Sequence, residues 1–172
     1  MSAVAAPAQD RLAVAAIWVL AVGPLALLLG ALGFEHWGGL PPCHLCLLQR
    51  GPLAAASVLG LFAAMIRPVP CTAPALRHVL TVTALVLAIG AGIAFYHAGV
   101  EWRWWPGPTT CVGSQHIPTT PEALAAARQS ARVVRCDVVP WQMFGLSLAV
   151  YNFLLSTALA ALALIGARRI GS

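Results

Sequence analysis

The chain of 172 residues is 60% hydrophobic and only 9% charged, with a mean hydropathy of +0.83. Soluble domains carry about 25% charged residues, so composition alone excludes an ordinary soluble globular domain. The ten basic residues are all arginine and the net charge is +5; with no basic run or aromatic–basic interleave, that charge does not indicate nucleic acid and reads as orientation and lipid headgroup contact.

Spanning the hydrocarbon takes roughly 20 apolar residues per helix. Four segments qualify: about 12–33, 47–66, 76–98 and 143–165. The first follows Arg11 and ends at Ala31-Leu32-Gly33, flanks that resemble those of a signal peptide. Its apolar stretch exceeds the ~7–15 residues of a signal core, so it is expected to remain as a span. Gly23-Pro24 interrupts it, which spans tolerate because neighbours re-satisfy the freed backbone groups. A short turn, 34–42, leads into Pro41-Pro42-Cys43-His44-Leu45-Cys46, and the connection 67–74 is too rich in proline to be helix. The third span ends near Tyr96-His97 and meets a run holding Trp102, Trp104 and Trp105, residues that belong at the headgroup level.

In the long loop 99–140, Thr120-Pro121-Glu122 carries the signals of a helix start. At 100° per residue Arg128, Arg132 and Arg135 share one face, opposite Ala123, Ala126, Ala127, Val133 and Val134, which predicts a short interfacial helix running into Cys136. Four spans place both termini on one side and the loops 34–46 and 99–140 on the other. Arginines are too evenly divided to set the direction. Disulfides persist in oxidising compartments, so the cysteine-bearing loops are assigned outside and the termini to the cytoplasm. The expected architecture is all-α: one integral membrane domain, 1–172, a four-helix transmembrane bundle with a long external loop.

Chemistry concentrates in four cysteines. Cys43-x-x-Cys46 holds two sulfurs close enough to open and close as a disulfide, at a helix amino terminus that favours thiolate. The spacing also admits a zinc site with His44 and a histidine such as His36, or a structural disulfide. Haem attachment would need the histidine after the pair, whereas His44 lies inside it. Cys43, Cys46 and Arg50 fall on one stripe if the segment is helical. Arg50 then serves either as a headgroup-seeking side chain or as a cation for a thiolate or a bound polar head group. Pro52 would clash with the Leu48 carbonyl in a continuous helix, which implies a kink or a late start. Cys111 and Cys136 would close a loop of 26 residues, worth about 3.5 kcal/mol as a plain staple. Cys71 lies beyond the far end of the second span, roughly 30 Å away at 1.5 Å per residue, and reads as a free cytoplasmic thiol. His97 emerges on the cysteine side; Asp137 suits a cap and Trp141 an interface anchor.

Taken together, Cys43-x-x-Cys46-x-x-x-Arg50, Tyr96-His97, Cys111 and Cys136-Asp137-x-x-x-Trp141-x-x-Phe144-Gly145-x-Ser147, followed by Tyr151-Asn152, resemble the DsbB family of bacterial inner-membrane disulfide-generating oxidoreductases. The likeness runs from the first external loop into the fourth span. Cys71 and the alanine/arginine-rich loop depart from it. The related vitamin K epoxide reductases place their loop cysteines before the C-x-x-C and fit less well. The resemblance implies periplasmic cysteine pairs and a soluble DsbA-type thioredoxin-like partner that attacks Cys111. Electrons would pass from Cys111–Cys136 to Cys43–Cys46 and on to a membrane quinone, ubiquinone or menaquinone. It further implies that Cys46 faces the quinone, with Arg50 beside the quinone carbonyls and His97 near that site. The alternatives are a metal-binding membrane module and a disulfide-stapled tetraspan scaffold without turnover.

Overall fold

The computed structural model describes residues 11–69, 72–108, 120 and 134–170. Four helices dominate: α1 Arg11–His36, α2 His44–Ile66, α3 Ala73–Glu101 and α4 Leu148–Ile170. Each is long and apolar enough to cross a membrane. At 1.5 Å per residue even the 23-residue helices reach about 34 Å, enough for a hydrocarbon core of about 30 Å.

The helices close a ring: α1 packs on α2, α2 on α3, α3 on α4, and α4 returns to α1. Its centre holds Leu20, Ala56, Ala63, Leu80, Leu87 and Ala163. Lipid gives helices no hydrophobic reason to associate, so close backbone approach must supply the dispersion energy. Gly60 shows how tight it is, since a Cβ there would lie 2.2 Å from the Leu20 carbonyl oxygen. The outward faces carry exposed Trp18, Val58, Met65, Leu85 and Ile89, the side chains a bilayer would cover.

Three boundaries differ from the sequence expectation. α2 begins at His44 rather than near residue 47, because Cys43 itself is the N-cap and its sulfur accepts the Cys46 N–H at 3.3 Å. Pro52 lies inside α2 without ending it, so the late start anticipated from its ring is not taken. α4 starts at Leu148, five residues after the expected 143. The intervening residues pair as a hairpin, β1 Gln142–Met143 with β2 Leu146–Ser147. Phe144 (φ 51°) and Gly145 (φ 77°) supply the two left-handed residues of a tight hairpin turn. The Ser147 hydroxyl then accepts the Val150 N–H at 3.3 Å and caps α4. After α3 the tryptophan run folds back: Trp105 stacks on Tyr96 at 5.8 Å and donates its indole N–H to the Tyr96 carbonyl at 2.9 Å. The expected loop helix, Cys111 and Cys71 lie outside the described residues.

Candidate redox site

The site is assembled at one end of the bundle. Cys43 and Cys46 stand as free thiols with their sulfurs 2.8 Å apart on the first turn of α2. The Cys46 N–H and the positive end of the helix dipole favour negative charge at this turn, while the hydrogen bond with Cys46 and burial push the Cys43 thiol up. Cys136 reaches the same place from the segment before the hairpin. It is 1% exposed and disulfide-bonded. Its sulfur, the Cys43 sulfur and a ring nitrogen of His97 all lie within 4.8 Å of one another. Leu45 and Val100 complete a buried cluster with Cys43 and Cys136, flanked by Trp105 and Val134. The Cys43 and Cys136 sulfurs are thus held out of bulk water.

His97, on the last turns of α3, is buried against the thiols. Its Nε2 is 3.6 Å from the Cys43 sulfur and 3.8 Å from Glu101 Oε1. The Glu101 carboxylate in turn accepts the Ser147 hydroxyl. Arg50 does not reach for headgroups; its guanidinium meets the Glu35 carboxylate at 2.6 Å and ties the end of α1 to the second turn of α2. Asp137 forms a two-pronged pair with Arg135 at 2.9 and 2.6 Å. The guanidinium holds that carboxyl below the usual aspartate range. Trp141 packs on Phe34 at 5.0 Å. Beside it an apolar recess of about 270 Å³ opens between α1, α2, α4 and the hairpin, lined in part by Phe34, Leu53, Tyr151, Asn152 and Leu155.

Cys43, Cys46, Cys136 and His97 thus converge as one group, with Arg50 one turn further along α2. Sequence reasoning missed Glu35, Gln49 and Glu101, and it quoted Asn152 only within the family likeness, without a role. Glu101 lies three residues past the expected end of the third span, in the loop 99–140, so hydropathy gave no signal for it, and the pairing of Glu35 with Arg50 needed the packing of α1 on α2. The zinc set drawn through His36 is not assembled, for His36 donates to the Leu32 carbonyl at 3.0 Å on α1. The nearest donor set is Cys43, His97 and Cys136, in which the Cys136 sulfur is committed to a disulfide.

A four-span membrane protein that sets a C-x-x-C thiol pair against a disulfide-bonded cysteine is built for thiol–disulfide exchange. Comparison with known proteins agrees. The family model described as "Disulfide bond formation protein DsbB" matches residues 13–166. Proteins named Disulfide bond formation protein B are similar in Polaromonas sp. (30% identity, 82% of each chain) and Shewanella loihica (31% identity, 94% of this chain and 92% of the relative). Another, from an Azoarcus species, is 31% identical over 81% of this chain and 82% of its own. The chain belongs to the DsbB family, a multi-pass membrane protein of disulfide bond formation.

Proposed function

We propose that this chain is a protein-dithiol:quinone oxidoreductase of the bacterial inner membrane, acting as one integral domain with cytoplasmic termini and periplasmic redox loops. The observation that carries this is the approach of the Cys136 sulfur to within 4.8 Å of the Cys43 sulfur. Little motion is needed for a thiolate on one to attack a disulfide at the other.

In this reading a reduced DsbA-type partner attacks Cys111 and releases Cys136 as a thiolate. Cys136 attacks the Cys43 sulfur of the Cys43–Cys46 disulfide, a new bond joins Cys136 to Cys43, and the electron pair leaves on Cys46. Cys111, freed when the partner forms its own disulfide, attacks Cys136 and releases Cys43. The C-x-x-C pair is then reduced. Cys43–Cys46 would close again by giving two electrons and two protons to a membrane quinone, which would leave as quinol. Ubiquinone and menaquinone both have the carbonyl oxygens that Arg50 would address. Its Nε is buried with no acceptor among the described residues. His97 stands by Cys43 and the recess beside Trp141 lies between α1, α2 and α4, so both border the region a quinone head would occupy.

The test is quinone reduction by purified protein supplied with a reduced periplasmic dithiol oxidase. One quinone consumed per disulfide formed is expected. A partner lacking its second cysteine should remain attached at Cys111 by mass spectrometry. Attachment mainly at Cys136 or Cys43 would overturn the order of electron flow, and absence of quinone reduction would overturn the reaction.

A further inference from the structure

A buried hydrogen-bonded chain that the cysteine motifs do not include crosses three helices and ends at Cys43. Ser156 of α4 donates its hydroxyl to Asn152 Oδ1 at 3.0 Å. Asn152 Nδ2 donates to Gln49 Oε1 at 2.5 Å. Gln49 Nε2 then lies 2.9 Å from His97 Nδ1. Gln49, His97 and Ser156 are each at least 95% buried, so water does not compete for the Gln49–His97 bond, while Asn152 is half-buried beside the recess. With its oxygen engaged by Asn152, the Gln49 amide can offer His97 only N–H. In this amide orientation Nδ1 accepts, which puts the ring proton on Nε2. That same Nε2 faces the Cys43 sulfur at 3.6 Å and Glu101 at 3.8 Å.

We propose that Gln49, backed by Asn152 and Ser156, is a positioning residue that holds His97 with its proton on Nε2, so that this N–H meets the charge on Cys43 when that sulfur leaves a disulfide. The step concerned is the one in which the Cys111 thiolate attacks Cys136. The Cys111–Cys136 bond forms, the Cys136–Cys43 bond breaks, and the electron pair stays on Cys43 with no further oxidant or reductant. This placement of the step rests on the relay proposed above. Without the amide chain His97 is free to carry its proton on Nδ1, and Nε2 would then turn a lone pair toward the departing thiolate. Orienting a histidine through the nitrogen it does not use is the general logic of nucleophile–histidine–amide sites.

The test uses the full chain in detergent. Nitrogen-15 NMR of the histidines, assigned with a His97→Gln variant, should show His97 neutral with the proton on Nε2. In the reduced protein, site-resolved alkylation by iodoacetamide should slow about tenfold at Cys43 in Gln49→Leu, the cost of one hydrogen bond to a charged sulfur, with Cys46 changed less than about threefold. Asn152→Leu, which touches neither His97 nor sulfur, should shift the His97 resonance toward a mixture of tautomers. A wild-type proton on Nδ1 would overturn the proposal. So would unchanged Cys43 alkylation in a folded Gln49→Leu protein, or an unmoved tautomer in Asn152→Leu. Neither measurement needs partner or quinone, so loss of the relay and loss of the proposed turnover are separately visible.

Discussion

Arg50→Met separates two roles for the one cation set into α2 near the thiols. Arg50 is mostly buried, its side chain 18% exposed, and one guanidinium nitrogen is spent on Glu35 at 2.6 Å. Its Nε has no acceptor among the described residues. If that edge serves a quinone carbonyl, methionine removes one charge-assisted hydrogen bond of about 1.5–3 kcal/mol while keeping most of the side-chain volume. The corresponding rise in the quinone KM is about 10- to 100-fold, with the KM for the dithiol partner little changed. The control is Glu35→Gln, which removes the ion pair and leaves the cation. It should change the quinone KM by less than about threefold, because the lost Glu35 contact is not made to quinone. Steady-state quinone reduction at saturating reduced partner reads both variants. An unchanged quinone KM in Arg50→Met would remove Arg50 from the site. Equal effects in the two variants would mean that the ion pair acts only as a clasp between α1 and α2.

Three further outcomes are expected. Gly60→Ala places a methyl against the Leu20 carbonyl and should cost about 1–3 kcal/mol in detergent-resistant stability, read as an earlier thermal transition; an unshifted transition would mean that α1 and α2 separate freely there. Cys71→Ser should leave turnover unchanged, since Cys71 follows α2 in sequence at the end opposite Cys43, and a large loss with normal expression would contradict four spans. Arg135→Ala should let the Asp137 carboxyl titrate upward toward about 3.9, followed by carbon-13 NMR. Because the paired carboxyl is depressed, its contribution to stability is present above that value and is lost as pH falls; an unmoved Asp137 titration would refute the pairing in solution.

The membrane-spanning architecture was legible in the sequence because hydropathy is a local property summed over about 20 residues, and each span satisfies its own backbone. Boundaries were less legible. α2 starts three residues early because a cysteine acts as its cap, and α4 starts five late because Phe144-Gly145 turns a hairpin where apolar composition alone reads as helix. Within the site, the C-x-x-C spacing by itself required Cys43 and Cys46 to be neighbours, since three residues of helix bring two sulfurs onto one turn. The likeness of the ordered motifs pointed to the family. Only the tertiary structure decided that Cys136 and His97 close on Cys43, that Glu35 neutralises Arg50, and that Gln49 and Asn152 join across α2 and α4. Those pairs are 15 to 103 residues apart in sequence. No local periodicity records them, because a polar side chain in a span finds its partner through the rotation and register of the helix beside it.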